Sequence, residues 1–122
     1  MEPIRALVPF VHVADMQVSM DFYQRIGFEV KNTHTPDGET LPVWAYLVSD
    51  RAQIMIAKAS APIIAGEQAV FFYVYVDDVQ AKHAELTANG FAPAPIKIQF
   101  WAPQGEFRLM DPDGYLLMIT HT

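Results

Sequence analysis

The chain has 122 residues, 52% of them apolar and 18% charged, with a net charge of −6. That length suits one compact fold, and the composition excludes a disordered segment. The acidic balance argues against nucleic acid, which needs clustered Lys and Arg. The absence of cysteine excludes disulfides and thiolate zinc sites. No apolar run approaches a membrane span, and Met1-Glu2-Pro3-Ile4-Arg5 does not read as a signal peptide, so a cytoplasmic location is expected.

In chain order, the first strand-like run is Ala6 to Val13. Alternation puts Leu7, Val11 and Val13 on a core face and Val8, Phe10 and His12 on the other. Asp15 follows as an N-cap candidate. Val18, Phe22 and Ile26 recur every four residues, and Gly27 stands where a left-handed C-cap belongs. A strand is expected around Glu29 to Asn32, then a loop from Thr33 to Thr40 that includes His34. Trp44 to Val48 and Gln53 to Ala57 read as a hairpin. Ser60 to about residue 69 reads as a linker.

The pattern then starts again. Leu7 to Ala59 aligns without a gap onto Val70 to Thr122, at an offset of 63 residues with nine identities in 53 positions. Chance agreement would give about three or four. Val11, Val13, Asp15 and Gln17 match Val74, Val76, Asp78 and Gln80, and Gly27-Phe28 matches Gly90-Phe91. Asp50 matches Asp113, and Met55-Ile56 matches Met118-Ile119. In the second copy Val70, Phe72, Val74 and Val76 read as core, against Phe71, Tyr73 and Tyr75 on the bulkier face. Val79 and Leu86 keep one face of a helix apolar. Prolines break the middle strand at Ala92-Pro93-Ala94-Pro95. Phe107 to Met110 and Tyr115 to Ile119 flank the turn Asp111-Pro112-Asp113-Gly114. Each copy is thus a βαβββ module, at about residues 4–59 and 70–122, with helices of about eleven or twelve residues. The expected class is α+β. The tandem modules would form a curved mixed sheet whose concave side encloses a groove.

Val13-Ala14-Asp15, Ser19-Met20-Asp21-Phe22-Tyr23 and Ile26-Gly27-Phe28, then Val76-Asp77-Asp78-Val79 and Asn89-Gly90-Phe91, make an ordered series. Phe107 to Tyr115 completes it. In order and spacing this series resembles the vicinal oxygen chelate superfamily of glyoxalases, extradiol dioxygenases, and fosfomycin- and bleomycin-resistance proteins. The resemblance puts that family's metal ligands at Val8, Met55, Phe71 and Met118. Val and Phe offer no donor atom, and a thioether suits only soft ions such as Cu(I). No family-type metal and no other cofactor is therefore expected. What the resemblance then implies is the non-metal branch, whose bleomycin-resistance proteins are dimers binding a planar aromatic drug at the subunit interface.

The groove candidates are Val8, Phe10, His12, Trp44, Tyr46, Met55, Phe71, Tyr73, Tyr75, Trp101, Arg108 and Met118. Trp101 enters because related sequences carry a Trp segment near the ligand before the last hairpin. Aromatic faces suit planar ligands. Arg108 would meet a ligand anion or a wall carboxylate, depending on strand register. His12 is either a wall residue or a base; His34, His83 and His121 read as surface residues. Asp77-Asp78 reads as a helix start, and Asp111 and Asp113 as turn residues, so no catalytic set is assigned. The expected function is binding of a partly aromatic small molecule by a homodimer, without nucleic acid or membrane. The alternatives are a metal-dependent lyase or dioxygenase with displaced ligands, using His12 with Glu39 or His34, and a scaffold with no natural ligand.

Overall fold

A computed structural model describes residues 1–64, 66 and 68–122. It divides into two compact units, Met1–Ile64 and Ala65–Thr122. Unit one runs β1 (Phe10–Val13), α1 (Met16–Ile26), β2 (Glu29–His34), β3 (Trp44–Ser49) and β4 (Ala52–Lys58). Unit two runs β5 (Phe71–Tyr75), α2 (Val79–Ala88), β6 (Lys97–Gln99), β7 (Ala102–Met110) and β8 (Leu116–Thr120). Each unit is a βαβββ module with one four-stranded mixed sheet, ordered β1-β4-β3-β2 and β5-β8-β7-β6. The α+β tandem fold expected from the repeat is therefore the fold observed.

The helix boundaries follow from local chemistry. The Asp15 and Asp78 carboxylates accept the backbone N–H of Val18 and Ala81, at 3.1 and 2.9 Å. These satisfy donors that the first turn leaves without a helical partner. Gly27 ends α1 at φ 125°, a region that a side chain disfavours. Phe28 then donates its N–H to the Tyr23 carbonyl, and Phe91 does the same to Leu86 in the second unit.

The faces that the helices bury differ from expectation. In α1 the buried residues are Met16, Ser19, Phe22, Tyr23 and Ile26. Val18, read as part of the apolar stripe, is 50% exposed. Spacings of three and four both keep a residue on one helix face, and the row through Ser19, Phe22, Tyr23 and Ile26 reaches the sheet instead. In α2 only Val79 and Leu86 are buried, as expected. Leu7 and Val70 are corrected from core to exposed, because the paired strands begin after them, at Phe10 and Phe71.

Each sheet buries most of one side, although Val30 on β2 and Phe72 and Val74 on β5 remain partly exposed. Val11, Val13, Ala45, Leu47, Ile54 and Ile56 make the core of unit one; Phe107, Leu109, Leu117 and Ile119 make that of unit two. Burial of the Val, Leu, Ile and Phe side chains among them contributes about 1.5–3 kcal/mol each.

The two hairpins close differently. β3 and β4 pair up to Ser49 opposite Ala52, leaving Asp50-Arg51 as a tight turn with Asp50 at φ 51°. β7 and β8 pair only to Met110 opposite Leu116, leaving Asp111–Tyr115 as the loop. The Asp111 carboxylate holds that loop by accepting from the N–H groups of Asp113 (2.9 Å) and Tyr115 (2.8 Å). β7 begins at Ala102 rather than at Phe107. It accommodates Gly105 at φ 105°, where a Cβ would lie 2.6 Å from the Ile96 side chain. Proline leaves β6 only three residues.

Candidate functional site

Register decides which side chains stand together, because cross-strand partners project from the same face. In unit one Phe10 and Tyr46 both flank Met55, and His12 and Trp44 both flank Ala57. Phe10, His12, Trp44, Tyr46 and Met55 thus share the face opposite α1. Val8 lies just before β1, half-buried. Phe10 meets His12 edge-on at 5.6 Å, and the Tyr46 hydroxyl donates to Gln53 Oε1 at 2.7 Å. The strand β2 adds two residues: Asn32, within the expected strand, pairs with Tyr46, and His34, expected in the loop, pairs with Trp44.

In unit two Tyr73 and Arg108 both flank Met118, and Phe71 pairs with Leu116. Phe71, Tyr73 and Tyr75 are 43%, 50% and 59% exposed, a row of rings on the side opposite α2. The Arg108 guanidinium lies over the Phe71 ring, 5.6 Å from its centroid. Met118 is buried beneath its neighbours, whereas Met55 is half-buried. Trp101 occupies the turn between β6 and β7, and its indole N–H donates to Glu106 Oε2 at 3.1 Å. Glu106 itself is buried and pairs across to Lys97. Neither was singled out in the sequence; a lone carboxylate in a strand carries no pattern that separates it from a solvated one.

Two histidines expected at the surface, His83 and His121, are part-buried, whereas His34 is exposed as expected. His34 ends β2 rather than sitting in the loop. His83 is part-buried, with Nε2 3.0 Å from the Ala94 carbonyl and its ring edge-on to Phe107. It packs α2 onto β7. His121 accepts the Gln104 N–H at Nε2, at 2.9 Å, and is half-buried. Both anchor the prolyl and Gly105 segments of unit two, a role invisible without tertiary partners.

A metal does not fit these faces. Val8, Met55, Phe71 and Met118 supply two thioethers and no oxygen or nitrogen donor. Among the described residues no group of three or more His, Asp and Glu is gathered, so His12, His34 and Glu39 do not form a cluster. The depression beside Asp77, Asp78, Gln80, Ile98, Pro103 and Gln104, of about 400 Å³, lies away from the aromatic rows. Its Asp78 carboxylate is occupied in capping, and Gln80 Nε2 donates to the Gln104 carbonyl. Among the described residues no helix is long and apolar enough to cross a membrane.

Two tandem βαβββ modules with matched strand order define a recognisable fold, and the family model for the Glyoxalase/Bleomycin resistance protein/Dioxygenase superfamily matches residues 6–119. The chain belongs to that superfamily. No curated protein sequence matches it significantly. Among solved structures it is similar to the bleomycin-binding protein of Streptomyces verticillus in complex with copper(II)-bleomycin, at 20% identity and TM-score 0.75 over 100% of this chain and 99% of that one. It is similar to TnmS3, an antibiotic binding protein from Streptomyces sp. CB03234, at 21% identity and TM-score 0.76 over 99% and 98%. It is also similar to the fosfomycin resistance protein FosX of Mesorhizobium loti, at 11% identity and TM-score 0.75 over 98% and 94%. Superfamily membership accounts for the internal repeat, and these likenesses establish the fold.

Proposed function

We propose that this member of the superfamily is a metal-free binding protein that sequesters a small, partly aromatic molecule, working in the cytoplasm as a homodimer. One observation carries the reading: each sheet turns a row of aromatic side chains away from its helix, and Phe10, Phe71, Tyr73 and Tyr75 are exposed there. Exposed rings on a rigid strand provide stacking surface at little cost in conformational entropy. Two similar structures are of proteins named for binding bleomycin or an antibiotic, which makes antibiotic-like ligands the first to try. Large exposed apolar side chains also suit a subunit interface, with the ligand held where two copies meet.

The test is a thermal-shift and tryptophan-fluorescence screen with bleomycin and other planar aromatic antibiotics. A true ligand at a hundred times its Kd should stabilise the fold by about 2.7 kcal/mol. It should also perturb the emission of Trp44, which lies within the aromatic row. Replacing Tyr73 with Ala should weaken that ligand, and light scattering should report a dimer. A panel that shifts neither melting nor emission would reject the reading.

A further inference from the structure

Lys82, Lys97 and Arg108 are the cationic side chains of unit two. Lys82 is in an ion pair with Glu85 at 3.4 Å. Arg108 has no ion pair among the described residues, although the chain as a whole is acidic. Glu106 stands two residues away on the same strand face, yet its carboxylate accepts the Trp101 indole rather than the guanidinium. Arg108 is exposed, beside buried Met118 and over the Phe71 ring. At 5.6 Å from the Phe71 centroid the guanidinium is within cation–π range of that ring, and a guanidinium so placed still has N–H donors to offer a ligand.

Unit one offers no equivalent. The residue that flanks Met55 where Arg108 flanks Met118 is Tyr46. The bulged Lys31 of β2 is already bonded to Glu29 at 3.3 Å. The positive charge of Arg108 is therefore specific to the second aromatic row, and Lys97 on the neighbouring edge strand β6 stands opposite Glu106.

We propose that the open face of unit two selects aromatic ligands that carry an anionic group, with Arg108 as the anion-binding side chain and Phe71 and Tyr73 as the stacking surface. The inference rests on the aromatic-ligand reading above and deepens it. A guanidinium presents paired N–H donors that match a carboxylate or sulfonate in two parallel bonds. Glu106, two residues along the strand, is the nearest opposing carboxylate, and its Oε2 accepts the Trp101 indole N–H; carboxylates beyond the screening length of about 8 Å at physiological salt oppose an anion only weakly. The competing role for Arg108 is to cover Phe71 with its alkyl stem, which requires no anion.

Fluorescence titration with 1-anilinonaphthalene-8-sulfonate and with its uncharged analogue N-phenyl-1-naphthylamine separates these roles. The wild-type protein should bind the sulfonate more tightly. Arg108→Gln should weaken the sulfonate about tenfold, the loss expected for one charge-assisted hydrogen-bonding group. Binding of the neutral amine should not change. Arg108→Lys should recover part of the sulfonate affinity, and circular dichroism should show each variant folded. Equal weakening of both probes by Arg108→Gln, or no weakening of either, overturns the anion assignment while leaving aromatic binding intact. Failure of both probes to bind the wild type instead rejects the aromatic-ligand reading itself. Sulfonate binding that disappears as the protein dimerises on concentration assigns this face to a second copy of the chain and also overturns the proposal.

Discussion

Met55 and Met118 stand 63 residues apart and hold the same place in their units, each paired in parallel with the first strand, to Phe10 and to Tyr73. Their neighbours on the other side differ. Tyr46 flanks Met55, but Arg108 flanks Met118, an offset of 62 rather than 63. The hairpin loop causes the slip. Two residues, Asp50-Arg51, close unit one, whereas Asp111–Tyr115 close unit two, so β7 is displaced by one position relative to β3. A one-residue slip turns a strand over. In the ungapped repeat Arg108 aligns with Ala45, a fully buried residue; in the fold it takes the place of Tyr46 on the open face. Duplication preserved the path of the chain, and the loop then chose which chemistry each open face carries.

The helices provide a second contrast. Tyr23 and Leu86 are equivalent and nearly inaccessible, but α1 adds Phe22 and Ile26 where the second unit has exposed Glu85 on α2 and exposed Asn89 as its C-cap. Tyr23 packs edge-on to both Phe22 and Phe28, at 5.0 and 5.8 Å. Tyr23→Ala should therefore have the largest effect, about 4 kcal/mol of lost stability in urea unfolding, and Leu86→Ala about 3 kcal/mol. Equal or reversed losses would break the idea that the first helix is the better anchored.

The loops should respond in opposite directions. Asp111→Ala leaves two N–H groups of a largely buried loop without their acceptor and should cost about 2 kcal/mol. Asp50→Gly removes a side chain from a left-handed conformation and should stabilise by about 0.5 kcal/mol. Melting temperatures that fall for the first variant and rise for the second would sharpen the contrast between a tied loop and a strained turn.

The caps should not distinguish the units. Asp15→Ala and Asp78→Ala each remove one carboxylate-to-backbone bond and should each cost about 1 kcal/mol by denaturant midpoint. A large inequality would mean that one capping aspartate has another duty. The smallest effect belongs to Val18→Ser, expected within about 0.5 kcal/mol because the side chain is already half in water. A cost of several times that would place an unseen partner on this face of α1.

Much of the fold was legible because its signals are local. The two aspartate caps, Gly27, the alternation of β1 and the proline break before β6 depend on residues within a few positions of each other. So did the aromatic rows: Phe71, Tyr73 and Tyr75 alternate along one short strand. Less legible were the ends of the elements, where Leu7, Val70 and His34 were misplaced, since pairing with a distant strand decides where a strand starts and stops.

By itself the sequence determined a duplicated βαβββ chain, its capped helices, and the lack of oxygen and nitrogen donors at Val8, Met55, Phe71 and Met118, where the family resemblance puts metal ligands. Those follow from residue identity and short-range periodicity. Only the tertiary structure decided that Arg108 joins the rings, that Val18 faces away from the sheet, and that His83 and His121 serve as internal anchors. Strand register and helix rotation are set by which partner is reached across space, and a slip of a single residue between β7 and β8 exchanges a buried position for an exposed one.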